Sequence, residues 1–297
     1  MILFTGASGF LGRNIYPILS QEFRIDTIGL STQDTFNIDL STKIPELNQS
    51  YNIVLHAAGK AHTIPHSKEE ENQFFQINLK GTQNLCTALE VNKLPRSIIF
   101  ISTVAVYGLE KGSDINEKQA LMGNSPYAIS KILAEEYLKS WCANNKVILG
   151  ILRPSLIAGK DPPGNLGAMI HGIQSGKYFR IGDGTARKSI LMAEDIAKII
   201  PKLAEIGGVY NVCDSHHPSF AELDELISNQ LNKKIPKSIP YWTAKCLAYF
   251  GDHIGNKFPF DSVRLEKVTQ SLTFSNEKAK RELEWEPLEV LQNFKIR

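Results

Sequence analysis

The sequence predicts an α/β protein: a doubly wound parallel sheet followed by a smaller, mostly helical C-terminal domain. Two observations carry the prediction. Short runs that are apolar at consecutive positions alternate with stretches of helical periodicity through the first half of the chain. Strands apolar on both faces belong to parallel sheets covered by helices on each side. After Arg153-Pro154 the texture changes to loops and then helices, with no Gly/Ser linker between. The expected division is residues 1–155, with a returning segment near 186–213, and residues 156–297.

Ile2–Thr5 is the first strand and Leu11–Ser20 the first helix. Ile25–Leu30 and Ile53–Ala57 are strands of the same kind. Glu69–Asn92 is one long helix, apolar at Phe74, Phe75, Ile77, Leu85 and Leu89. Ser97–Ser102 (SIIFIS) is β-branched and aromatic, hence a strand. Pro126–Asn144 is a helix with Ser125 as N-cap and Pro126 at its first position, and Val147–Leu152 is a strand. In the second half, Asp161–Asn165 (DPPGN) and Gly182–Gly184 (GDG) are loops. Ala193–Ile206, Phe220–Leu231, Trp242–Phe250 and Glu277–Glu284 are helices. Val209–Val212 is a short strand that returns to the first domain.

The 297 residues suffice for one large domain or two unequal ones. A net charge of +2, from 33 basic and 31 acidic residues well mixed, gives no reason to expect nucleic acid. No apolar stretch approaches the roughly 20 residues of a membrane span. No leader is evident, since Met1 runs straight into a core strand. Cys86, Cys142, Cys213 and Cys246 lack disulfide or metal spacing, as expected of reduced thiols in the cytoplasm. His62 and His66 are four apart, but Pro65 lies between them and no further ligand completes a metal site.

Chemistry enters at TGASGFLGRN, where Gly6, Gly9 and Gly12 follow the first strand. Strand, glycine turn and helix make an anion site, because glycines admit a pyrophosphate to the free N–H groups of the helix N-terminus. Small residues also recur at such turns for packing alone. Tyr127 and Lys131 lie on one helix face, where an ammonium favours the phenolate and makes an acid–base pair. The same spacing is common on solvated helices. Ser102 and Thr103 end the SIIFIS strand, and ligands of such sheets bind beyond the strands' carboxyl ends.

In this order, these motifs resemble the extended short-chain dehydrogenase/reductases, in particular their nucleotide-sugar epimerase, dehydratase and reductase branch. TGASGFLG is similar to the family's TGxxGxxG turn, which implies a Rossmann-type domain. Cofactor contacts are then implied at Gly6, Ser8, Gly9, Phe10, Leu11, Gly12 and Arg13. Asp39-Leu40 is similar to the pair at the adenine, His56-Ala57-Ala58-Gly59 to the HxAA element along the cofactor, and Asn78, in NLKGT, to the NxxGT helix. Arg153-Pro154 resembles the pair that closes the cofactor domain near the nicotinamide. Ser102 adjoins the same site. Thr103, Tyr127 and Lys131 fall on the catalytic Ser/Thr, Tyr and Lys. Asn165, Arg187 (in ARKSILMAEDIA) and Arg264 resemble diphosphate ligands of the substrate, while LEWEP is similar to the closing LGWxP.

The resemblance implies hydride transfer at a sugar C4. Tyr127 exchanges the proton, Thr103 positions the oxygen, and Lys131 holds the nicotinamide ribose. Dehydratases and decarboxylating members carry proton-moving residues after the catalytic Thr, whereas this chain has Val104-Ala105. An epimerase and a 4-keto-sugar reductase remain. Ile28–Thr32 holds no carboxylate, and Arg13 and Ser31 suit a 2′-phosphate, so NADP(H) is favoured slightly over NAD(H). That tilts the expectation towards reduction of a UDP-4-keto-6-deoxy-hexosamine for surface polysaccharide; the alternative is a UDP-hexose or UDP-HexNAc C4-epimerase with tightly bound NAD. Lys60 and His62, in GKAHTIPH, are candidate sugar or phosphate contacts, the alternative being plain residues of a surface loop. A dinucleotide-sensing regulator is the remote rival, and such proteins typically lose the Tyr and Lys kept here. A homodimer through the helices Glu69–Asn92 and Pro126–Asn144 is the one protein partner expected.

Overall fold

A computed structural model describes residues 1–61, 63–254 and 260–296. Its centre is a seven-stranded parallel sheet. The strands are β1 (Ile2–Thr5), β2 (Ile25–Gly29), β3 (Phe36–Asn37), β4 (Ile53–His56), β5 (Ser97–Ile101), β6 (Ile148–Pro154) and β7 (Gly208–Val212). They lie in the order β7-β6-β5-β4-β1-β2-β3. The chain winds outward one way from β1 and then, from β4, the other way, so the switch point lies between β1 and β4. Ligands of such sheets bind at that crevice.

Each central strand feeds two cores, because successive side chains point to opposite faces. Ile2, Phe4, Leu55, Ile99 and Leu152 meet helices α1 (Phe10–Leu19) and α6 (Ala193–Ile206). Leu3, Val54, Ile98, Phe100 and Ile151 meet the opposite layer. That layer holds α2 (Lys68–Phe74), α3 (Gly81–Val91) and α4 (Pro126–Asn145). The long helix expected over 69–92 is interrupted: Phe75–Lys80 is a π-helical turn. Strand β7 pairs with β6 from Gly208↔Gly150 to Val212↔Pro154.

The later part of the chain holds α5 (Gly164–Gln174), α7 (Phe220–Gln230), α8 (Tyr241–Ile254), α9 (Ser262–Thr269), α10 (Glu277–Leu283) and α11 (Val290–Asn293). Helix α5 begins inside the segment expected to be a loop, and buries Leu166, Met169 and Ile173. Two short parallel pairs, Ile190–Met192 with Leu156–Ala158 and Ser238–Ile239 with Arg180–Ile181, tie these helices together. Among the described residues no helix is long and apolar enough to cross a membrane, and no group of three His, Cys, Asp or Glu is placed to hold a metal.

Candidate active site

The glycine turn closes tightly on itself. Gly6 takes φ +80°, and a Cβ there would sit 2.6 Å from the Ala58 nitrogen; one at Gly12 would sit 2.3 Å from the Gly6 oxygen. Helix α1 starts from Gly9 with no side-chain cap. The N–H groups of Phe10, Leu11 and Gly12 therefore have no intrahelical acceptor. Beside this end opens a crevice of about 1110 Å³, lined by Ser8, Arg13, Ser31, Asp34 and Lys160 among others. Uncapped donors, a positive helix end and a turn too tightly closed for a Cβ all fit a dinucleotide's pyrophosphate.

One carboxylate in this crevice escapes a reading confined to the end of β2. Asp34 folds back so that its Oδ2 accepts from the Ser31 N–H at 2.9 Å. A Cβ on Gly29 would meet that same carboxylate. The acid thus reaches the end of β2 from five residues downstream, where it faces the same crevice as Arg13 and Ser31.

His56 is a brace between strands and helix. Thr82 Oγ1 donates to the Asn78 carbonyl at 2.6 Å, so it accepts from His56 Nε2 at 2.9 Å. Thr5 Oγ1 accepts from the Ala58 N–H and donates to His56 Nδ1 at 2.6 Å. Thr82 fixes the proton on Nε2, and Nδ1 of the buried, neutral imidazole is left to accept from Thr5. Burial, aided by Lys131, pulls its pKa down to about 3. Ala57 and Ala58 continue from this brace, Ala57 N–H donating to Thr5 O.

The catalytic candidates converge from β5 and α4. Ser125 caps α4 through the Ala128 N–H, with Pro126 at its start. Tyr127 and Lys131 follow on one face, beneath the end of β5. Burial pushes the Tyr127 phenol up to about 12, against a hydrogen bond with Thr103 that pulls it down. Thr103 also caps the 3-10 turn Val104–Tyr107 through the Ala105 N–H. Lys131 Nζ donates to the Ile101 carbonyl at 2.6 Å and lies 3.8 Å from the Phe100 ring centroid. Burial lowers its pKa to about 7, while Glu135, one turn on, pushes it back up.

The π turn puts Asn78 where its amide can serve two elements. Its Oδ1 accepts from the Lys60 N–H at 2.7 Å, while Nδ2 donates to the Lys60 carbonyl and to Ser130 Oγ. Ser130 donates in turn to the Tyr127 carbonyl at 2.7 Å. Asn78 thereby clamps the loop at Lys60 to α4. A Cβ on the intervening Gly59 would lie 3.0 Å from Asn78 Oδ1 and 4.0 Å from Lys131 Nζ. The Lys60 ammonium is drawn over Phe74, 5.5 Å from its centroid, and donates to Gln73. Phe74 packs on Tyr127 with centroids 6.1 Å apart, so Lys60 is one ring away from the phenol. His62 lies outside the described residues.

Behind Lys131 stands a buried polar network that local spacing does not reveal. Arg153 donates to Glu135 through Nε at 3.0 Å and Nη2 at 2.6 Å, and to Tyr107 Oη through Nη1. Tyr107 donates to Asn211 Oδ1 on β7. The Ser102 hydroxyl donates to Glu135 at 2.5 Å, so it is a member of this network. Pro154, next to Arg153, is buried at the end of β6 opposite Val212.

The remaining candidates are dispersed. Asp39 is exposed and accepts from Ser41 N–H and Oγ, while Leu40 is buried with its carbonyl held by Asn84. Asn165 is exposed in the first turn of α5. Arg264, on α9, pairs with Asp261 at 3.7 Å. Arg187 is exposed and held by the His217 carbonyl and Glu222. Counted back from Asp195 and Ala197, the R-x-x-x-x-V-x-D-x-A spacing falls on Lys188, one position beyond Arg187. Burial lowers the Lys188 ammonium to about 8, opposed by Glu110 and reinforced by Lys267. A crevice of about 630 Å³ lies in this region, lined by Lys111, Thr185, Ala186, Thr269 and Ser271 among others.

Comparison with known proteins agrees with this geometry. Residues 2–213 match the model of the NAD dependent epimerase/dehydratase family. Over 290 residues the chain is 30% identical to an Escherichia coli O157:H7 N-acetyl-alpha-D-glucosaminyl-diphospho-ditrans,octacis-undecaprenol 4-epimerase, covering 92% of this chain and 86% of the relative. It is 27% identical to the Pseudomonas aeruginosa GDP-6-deoxy-D-mannose reductase, over 77% of this chain and 79% of that one. The fold matches that of a Bacillus cereus UDP-glucuronic acid 4-epimerase, solved with UDP-glucuronic acid and NAD, at a TM-score of 0.75 and 21% identity, over 98% of this chain and 95% of that one. The chain belongs to the NAD dependent epimerase/dehydratase family.

Proposed function

We propose that the protein is a C4-epimerase acting on a diphosphate-linked hexose, with N-acetylhexosamine as the preferred sugar and NAD held through the cycle. The observation that carries this reading is the Asp34 carboxylate at the end of β2. A carboxylate there favours the ribose hydroxyls of NAD and repels a 2′-phosphate. It weighs against the NADP(H) tilt, and with it against reduction as the first choice. An enzyme that must regenerate its own oxidised cofactor gains from holding NAD tightly.

A dinucleotide held at the glycine turn would supply the removal and return of hydride at C4. Tyr127 Oη takes the proton of the C4 hydroxyl and gives it back, and Thr103 orients that oxygen. The Lys131 ammonium stabilises the phenolate, which burial alone disfavours. Asn78 holds the Lys60 loop against α4 and so fixes it beside the helix that carries Tyr127 and Lys131. Val104 and Ala105 have no side-chain acid or base, so these positions supply no proton transfer for elimination across C5–C6. Lys188, three residues beyond Thr185 of the smaller crevice, suits the substrate diphosphate. The E. coli relative's polyprenyl-linked N-acetylglucosamine makes such a diphosphate a candidate substrate beside UDP-sugars.

A second reading is a 4-keto-sugar reductase using NADPH, favoured by Arg13 and Ser31 on the same crevice and by the likeness to the Pseudomonas reductase. The deciding experiment denatures the purified protein and quantifies the released dinucleotide. Near-stoichiometric NAD, followed by interconversion of UDP-GlcNAc or polyprenyl-diphospho-GlcNAc with its 4-epimer without added cofactor, supports the epimerase. No retained NAD, with NADPH consumed by a UDP-4-keto-6-deoxy-hexosamine, overturns it. Tyr127→Phe should lower turnover by about 10²–10⁴-fold while cofactor stays bound; unchanged turnover would sink any catalytic reading.

A further inference from the structure

Helix α8 carries its small residues inward and its large ones outward. Ala244, Ala248 and Gly251 are its buried positions, and the two alanines pack with Leu265, Ile181, Ile239 and Phe260. Trp242, Tyr249 and Phe250 are 69%, 61% and 60% exposed. At 100° per residue, Trp242, Cys246, Tyr249 and His253 form a stripe diametrically opposite the buried positions, with Phe250 beside it. Val263 on α9, which packs along α8, is exposed as well. A contiguous aromatic patch of this kind marks an interaction surface.

Its charge says what it meets. Between residues 232 and 254 the chain has Lys233, Lys234, Lys237 and Lys245, all exposed, and one acid, Asp252. That acid is engaged by the Ser262 N–H and hydroxyl. Tryptophan and tyrosine beside lysine is the composition of a bilayer interface, where the rings sit at headgroup depth and the ammonium groups face anionic lipid. A second copy of the same face would instead bring like charges together.

We propose that α8 docks the protein onto an anionic lipid bilayer, lying on the membrane and not crossing it. The helix spans 14 residues, short of the roughly 20 a crossing requires. The small inner face lets α8 lie flat against the body, so the rings stand clear of it. The inference is independent of which sugar chemistry the cleft performs.

The test uses the full chain with vesicles of phosphatidylcholine alone or mixed with phosphatidylglycerol. Of the three tryptophans, Trp141 and Trp285 are buried and Trp242 is exposed, so a change in emission reports α8. The expected result is co-sedimentation with the anionic vesicles that weakens with salt, a blue shift, and quenching by brominated lipid. Y249S/F250S should bind at least about tenfold more weakly, and K233Q/K234Q/K237Q should lose the anionic preference, both with turnover unchanged. Failure of the wild-type chain to sediment, with unshifted emission, overturns the proposal. So does equal binding by Y249S/F250S, or a dimer in solution that this variant abolishes, which would assign the face to a second copy.

Discussion

Arg153 grips Glu135 with two parallel hydrogen bonds, 3.0 and 2.6 Å long, one helical turn beyond Lys131. Both side chains are buried, and Glu135 is the charge that raises the Lys131 pKa against desolvation. Glu135→Gln should cost about 3–5 kcal/mol, because Arg153 is left buried without its counter-charge. It should also shift the alkaline limb of the pH–rate profile to lower pH, since Lys131 then loses its proton more easily. A double change, Glu135→Leu with Arg153→Met, should recover stability in thermal melts without restoring that limb. A limb unmoved in both variants would show the pair to be structural only.

Asp34 should set the cofactor preference. Replacing its carboxylate by Ser removes a charged acceptor worth about 1.5–3 kcal/mol, so NAD affinity should fall roughly ten- to a hundredfold. Arg13, on the same crevice, should then gain NADP affinity. Titration of both dinucleotides by intrinsic fluorescence reads the two changes separately. Equal losses for NAD and NADP would mean that Asp34 merely holds the Ser31 turn.

The sheet strands are legible because a parallel strand covered on both faces is a run of consecutive apolar residues, as in Ile2-Leu3-Phe4 and Ile98–Ile101. The glycine turn and the Tyr127–Lys131 pair are legible because their chemistry needs a fixed local spacing. Asp34 is not, because a five-residue turn brings it back to Gly29. Glu135 is a helix glutamate like its exposed neighbour Glu136 until β6 places Arg153 against it. Helix α5 is hidden by Asp161-Pro162-Pro163-Gly164, which has the composition of a loop, although Pro163 serves as its N-cap residue. The π turn has no period of its own; only the clamp of Asn78 on Lys60 explains its place.

His56 should make the protein acid-sensitive. Its pKa is about 3 when folded, against 6.5 unfolded. Above pH 6.5 neither state binds the proton, and the brace contributes fully. As pH falls from 6.5 towards 3, the unfolded chain takes up a proton that the folded one refuses. Stability then drops by at most about 1.4 kcal/mol per pH unit from this site. Lys131 acts in the same sense at higher pH, since its folded pKa of about 7 lies below 10.5, so stability rises between those values. His56→Gln should be less stable near neutral pH by about 1–3 kcal/mol, with a shallower acid slope in urea melts. Parallel curves for the two proteins would remove His56 as the source.

Gly12 should be the least replaceable residue of the turn. A Cβ there would sit 2.3 Å from the Gly6 oxygen, 2.4 Å from the Ala7 oxygen and 2.5 Å from the Ala7 Cα, all backbone atoms. No rotamer relieves such a contact, so Gly12→Ala must open the turn and move the N–H groups of Phe10 and Leu11. Gly9 is different: its Cβ would approach only the Gly6 oxygen, at 3.2 Å. Retained dinucleotide should be lost in Gly12→Ala and survive at least partly in Gly9→Ala, with both folded by circular dichroism. Equal retention in the two variants would mean that the pyrophosphate does not rest on this turn, and the cofactor assignment would have to move elsewhere on the sheet edge.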